Sequence, residues 1–133
     1  MKLSISAGYG LLVMAYIAEK GVSEVVLARE LATNCRIPPD YLSKILQKLV
    51  RAGVLRSRRG PHGGFATVAN ADKISFLDIV QAIDGQARVD FKMPGNSHIG
   101  KLAEGIEKIC IDIVAKYEVL LQTQTLAKLL NLG

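Results

Sequence analysis

Cysteine is scarce in this chain: there are two in 133 residues, Cys35 and Cys110. They lie far apart and form no Cys-x-x-Cys pair, which excludes a zinc-ribbon spacing and suits a reducing compartment. Long apolar runs are missing as well, since no stretch reaches the roughly 18 continuous apolar residues of a membrane span. The first residues, MKLSISAGYGLLVMAYIAEKG, offer only Lys2 as a leading charge, and Gly8, Tyr9 and Gly10 interrupt the apolar run, so no secretory leader is expected. Tandem repeats and low-complexity tracts are absent. Together these absences predict a cytoplasmic protein with no membrane partner.

Acid is also scarce, but only locally. Residues 1–70 hold ten Lys/Arg against four Asp/Glu, whereas residues 71–133 hold seven against eight, so the formal charge of +5 is the balance of +6 and −1. Between Arg36 and Arg59 seven cations face Asp40 alone. Such a patch is either a solvated surface or a footprint for phosphates, and the elements beneath it decide which. The length suits one domain with an appended element.

Apolar residues at helical spacing (Leu11, Met14, Ala15, Ala18) predict a first helix over about 6–20, stopped by Gly21. Ser23 is placed to cap a second short helix with Val26, Leu27 and Leu31 inward, ending at Thr33 and Asn34. Pro39 suits a first helical position and Asp40 the positive end of a helix dipole. From there Tyr41, Leu42, Ile45, Leu46 and Leu49 mark a third helix, ended by Gly53. The pair reads as a helix-turn-helix or as an ordinary helical hairpin.

The residues after Gly53 favour the first reading. Residues 54–57 and 65–68 alternate as two antiparallel strands, which makes SRRGPHGGF (57–65) the tip of a hairpin. A hairpin directly after a helix-turn-helix is the wing of a winged helix. Gly60, Gly63 and Gly64 permit close backbone approach, and Arg58 and Arg59 supply charge for phosphates and a narrow minor groove. No Gly-Lys-Ser/Thr comes after the glycines, which argues against a nucleotide loop. Further on, Ser75 caps a short helix carrying Asp78 and Asp84 on its exposed side. No nucleophile, base and acid converge, so no enzyme is expected. Residues 100–121 repeat Leu102, Ile106, Ile109, Ile113 and Leu120 at helical steps, with Val114, Tyr117 and Leu121 beside them. So small a domain has little core to cover that stripe.

The run YLSKILQKLVRAGVLRSRRGPHGGF followed by ISFLDIVQAIDG resembles the Rrf-type winged-helix transcriptional regulators, over residues 1–87 and more loosely over TLAKLL at 125–130. The resemblance implies a mainly α fold with a small β-hairpin wing: a winged helix-turn-helix at 1–85, a loop at 86–99, and a dimerisation helix with a short C-terminal helix at 100–133. It also implies a homodimer acting on double-stranded DNA at a roughly palindromic operator, as a repressor. The implied DNA-binding set is Lys2, Ser4, Pro39, Asp40, Tyr41, Ser43, Lys44 and Lys48, with Arg56, Arg58, Arg59, Gly60, His62 and Gly63 on the wing. The implied dimer interface is Leu102, Ile106, Ile109, Ile113, Tyr117 and Leu120. His62 and Pro38 depart from residues found in other members and bear on which operator is read.

Iron–sulfur members carry three cysteines in the loop before the long helix. Here that loop, QARVDFKMPGNSHIGK, has none, and His98 cannot replace three thiolates, so a cluster-free member with no cofactor or metal is expected. Cys110 between Ile109 and Ile111 reads as a small hydrophobe. Cys35 beside Arg36 reads either as an inert turn residue or as a redox switch with a thiolate favoured by that charge. The alternatives to a plain repressor are a thiol-redox-sensing repressor and a protein-interaction regulator that binds a metabolic enzyme. An unidentified effector or partner protein is left open.

Overall fold

The computed structural model describes residues 2–89, 91 and 97–132. Among the described residues, six helices and one hairpin succeed one another: α1 (Ile5–Lys20), α2 (Ala28–Cys35), α3 (Pro39–Arg51), β1 (Leu55–Arg58), β2 (Gly64–Thr67), a single 3₁₀ turn (Ala71–Lys73), α4 (Phe76–Asp84), α5 (Ser97–Thr123) and α6 (Leu126–Leu130). This is the expected winged helix with a long C-terminal helix. The loop predicted at 86–99 is only partly described, because residues 90 and 92–96 lie outside the described set and α5 already begins at Ser97. His98, expected in that loop, sits in the first turn of the helix. Among the described residues no helix is long and apolar enough to cross a membrane.

The core forms around α1. Ser4 caps the helix by accepting a hydrogen bond from the Ala7 N–H at 3.0 Å, and Gly21 at φ +111° ends it. Ala7, Val13, Met14 and Ile17 are fully buried, so α1 is apolar over more of its circumference than one stripe. At Gly10 an added Cβ would lie 3.0 Å from Ile83 Cγ1, and this missing side chain lets α1 and α4 approach closely. On α4, Ser75 and Asp78 form a reciprocal capping box, as the serine predicted.

The second helix departs from expectation at both ends. Ser23 does not cap it but stands in a turn at φ +69°, and the helix starts only at Ala28. The reason is a distant partner: Val26 N–H donates to Phe65 O and Phe65 N–H to Val26 O, both at 2.8 Å, which draws residue 26 onto the hairpin in extended form. Leu27, expected inside, is therefore exposed. At the other end the left-handed position is taken by Arg36 (φ 56°, ψ 48°) and not by Asn34. Asn34 stays helical, with its amide donating to Tyr16 Oη at 2.7 Å, while Ile37 N–H closes the turn on Ala32 O at 3.1 Å.

α3 begins at Pro39 as expected and buries Leu42, Ile45, Leu46 and Leu49. It ends at Arg51, two residues before Gly53, and Val54 N–H still bonds back to Leu49 O at 3.2 Å. That closure shifts each strand by one residue from the expected span, giving the register Leu55↔Thr67, Arg56↔Ala66, Ser57↔Phe65 and Arg58↔Gly64. The chain then runs through α4 and α5 and returns. Phe76 N–H donates to Gln124 O at 2.8 Å and Leu126 N–H to Ile74 O at 3.0 Å, and Leu126 is fully buried in the core.

Candidate nucleic-acid interface

Once Leu42, Ile45, Leu46 and Leu49 are turned inward, helical periodicity leaves Pro39, Asp40, Ser43, Lys44 and Gln47 on the exposed side of α3. These are the expected major-groove residues, with Gln47 added. Tyr41 is partly held: its ring meets Tyr9 edge-on at 5.6 Å between centroids, and its hydroxyl shares a 2.7 Å hydrogen bond with Ser6 Oγ. The contact fixes the start of α3 against α1 while the ring stays 37% exposed.

A groove of about 800 Å³ lies between α2, α3 and the hairpin. Its floor is apolar, with Leu46, Val50 and Phe65, and its rim carries Arg29, Thr33, Ser43, Gln47, Arg51 and Ser57. Sequence reasoning did not name Arg29, Thr33, Gln47 and Ser57 as candidates, and it counted Arg51 only among the cations of the third helix. For Arg29 and Thr33 the signal was available, since they sit four apart on the side of α2 away from Leu31.

The strand register divides the wing's charges. Leu55 and Ser57 share one face and Arg56 and Arg58 the other, because side chains alternate along a strand. Arg56 is anchored within the molecule, with Nη2 donating to Ser23 Oγ at 3.1 Å. Arg59, Gly60 and His62 stand exposed at the tip. Gly63 does not: it is buried, its N–H donates to Gly60 O at 2.9 Å, and an added Cβ would collide with Arg58 O. At Gly64 (φ +152°) a Cβ would fall 2.5 Å from Val26 O. These two glycines close the wing on its own body, which is a different use from the close approach to DNA that the sequence suggested.

Two other residues of the expected set have partners within the molecule. Lys48 Nζ donates to Ile83 O at 3.2 Å, at the negative end of α4. Ser4, already the cap of α1, also donates its hydroxyl to Asp84, whose other oxygen accepts from Ser4 N–H at 3.3 Å. Lys2 stays exposed beside them. Cys35 is buried as the last residue of α2, and burial pushes its thiol up, the reverse of the lowering expected from Arg36.

On α5 the expected stripe is open: Leu102, Ile106, Ile109, Ile113 and Leu120 are all exposed, Ile109 by 63% and Leu120 by 66%. Tyr117 departs from it, half-buried in a cleft beside Val80 and Gln81 of α4.

The Rrf2 family profile, described as an iron-dependent transcriptional regulator, matches residues 3–132. The chain belongs to the Rrf2 family. Relatives of this Rrf2 protein include YffB of Lactococcus lactis, 39% identical over 67% of this chain and 57% of that one. The transcriptional regulator IscR of Cereibacter sphaeroides is 34% identical over 63% of this chain and 56% of its own length. The matched residues thus span little more than half of these relatives. In fold, the solved structure of CymR, the global cysteine regulator of Bacillus subtilis, superposes over 100% of this chain and 98% of its own with a TM-score of 0.81 at 23% identity. An IscR from T. potens gives 0.69 at 25% identity, over 98% of this chain and 87% of that one.

Among the described residues, the iron in the family description finds no matching donor set in this Rrf2 protein. A cluster needs several soft ligands converging on one site, and the two thiols stand on α2 and α5. Among the described residues no three His, Cys, Asp or Glu side chains come together.

Proposed function

We propose that this protein is a sequence-specific repressor that binds double-stranded DNA as a homodimer on a roughly palindromic operator. One observation carries the reading: Arg29, Ser43, Gln47, Arg51 and Ser57 rim a single groove between α3 and the hairpin whose tip holds Arg59. A recognition helix beside a wing supplies base edges with polar side chains and the sugar-phosphate strand with cations. The open stripe on α5 supports the dimer, since five large apolar side chains at helical steps fit burial against the same helix of a second chain. Two-fold pairing sets the recognition helices one helical turn of DNA apart, about 34–36 Å.

The test is selection of genomic fragments with purified protein, then binding at several salt concentrations. The expected result is a footprint of two related half-sites and an affinity that falls linearly on a log-log salt plot, with a slope set by the phosphates neutralised. Absence of any retained fragment at low salt overturns the reading. Repression is tested by transcription from the selected promoter, which is expected to fall as protein is added.

A further inference from the structure

A second cavity, of about 240 Å³, lies away from the basic groove, where the N-terminal segment, the end of α4 and the second half of α5 meet. Its mouth is charged and its floor apolar. Lys2, Asp84 and Arg88 are exposed around it, while Val80 is buried and Tyr117 and Leu121 are half-buried beneath. Asp84 is fixed in place because both its oxygens accept hydrogen bonds from Ser4. Among the described residues, two cations stand against one carboxylate at the mouth, an excess of positive charge. We propose that this cleft binds a small organic carboxylate of amino-acid size, its carboxylate between Lys2 and Arg88 and its hydrocarbon part on Val80 and Leu121.

Size and lining select the class together. The volume falls below the roughly 300 Å³ at which drug-sized sites begin, which favours a small metabolite. An inorganic anion satisfies the cations but leaves the apolar floor uncovered. An uncharged apolar molecule covers the floor but displaces water from Lys2 and Arg88 without replacing it. A carboxylate with a short hydrocarbon part meets both, and Arg88 can grip it with two parallel N–H donors. Asp84 and the Tyr117 hydroxyl offer partners for an amino or hydroxyl substituent.

The site goes beyond the DNA-binding reading and is tested without DNA. Backbone amide spectra of the full chain are recorded during titration with the twenty amino acids and with pyruvate, lactate and succinate, against sodium chloride at equal ionic strength. The expected result is that at least one titrant shifts the amides of Gly85 and Ala87 saturably where chloride does not. Arg88→Gln is expected to weaken that binding at least tenfold, with Arg88→Lys in between. If no titrant gives saturable shifts, or if Arg88→Gln binds as tightly as the parent chain, the proposal is overturned.

Discussion

In α3 the large aliphatic residues Leu42, Ile45, Leu46 and Leu49 are all buried, whereas in α5 Leu102, Ile106, Ile109, Ile113 and Leu120 are all exposed. The two helices share the same kind of apolar repeat. They differ in what lies opposite: α3 packs against α2, α4 and the hairpin of its own chain, while the stripe of α5 stays largely exposed among the described residues. Charge divides along similar lines, with the cationic excess confined to residues 1–70, which include α3. An apolar period therefore marks the face of a helix suited to burial, and only the surrounding structure tells whether its own chain covers that face.

The sharpest way to break this contrast is to charge or truncate each helix's stripe in turn. Ile109→Asp with Ile113→Asp is expected to leave a monomer or insoluble chain and to abolish operator binding, as read by light scattering and gel shift, because the half-sites are uncoupled. Leu49→Ala in α3, whose side chain is fully buried, is expected to cost about 2–5 kcal/mol of folding stability, the same at every protein concentration. A loss that depends on concentration would erase the distinction between the two stripes.

Smaller effects sharpen the division within the basic half. Arg59→Ala is expected to weaken operator binding by about 1–3 kcal/mol with little change in the melting temperature, and to relax the preference for A·T flanks. Lys48→Ala is expected to do the reverse, costing about 0.5–1.5 kcal/mol of stability through its lost bond to Ile83 O while the salt slope of DNA binding stays the same. The smallest effect concerns Cys35. Its alkylation at pH 8 is expected to track unfolding, since the thiol is buried and its ionisation pushed up. With the folded value above the unfolded one, the contribution to stability is whole below the unfolded value and is lost as pH rises through the folded one.

Much of the fold was legible in the sequence, for local reasons. Pro39, Asp40 and a 3.6-residue period specify α3 without help, and Ser75 with Asp78 writes its own cap. What escaped was decided by partners far along the chain. Lys48 is claimed by Ile83, Arg56 by Ser23 and Ser4 by Asp84, at separations of 35, 33 and 80 residues. Val26 belongs to a bridge with Phe65 that no window around residue 26 contains. A charge count can place cations on a surface, but it cannot tell which of them a distant carbonyl or hydroxyl has already taken. That is why the sequence named Lys48 and Arg56 as candidates without disclosing their partners at Ile83 and Ser23.

The return of the chain at Leu126 has a consequence for synthesis. Ile74 O and Phe76 N–H find their partners only when Gln124 and Leu126 have been made, and the fully buried Leu126 side chain fills the core beside them. A nascent chain that stops at residue 123 lacks both hydrogen bonds and one core side chain, however well its first half has formed. The winged helix thus lacks part of its core until residues 124–126, which follow the helix bearing the apolar stripe, have been made. A ribosome-bound fragment carrying only the basic half is left without the Leu126 side chain that its core requires.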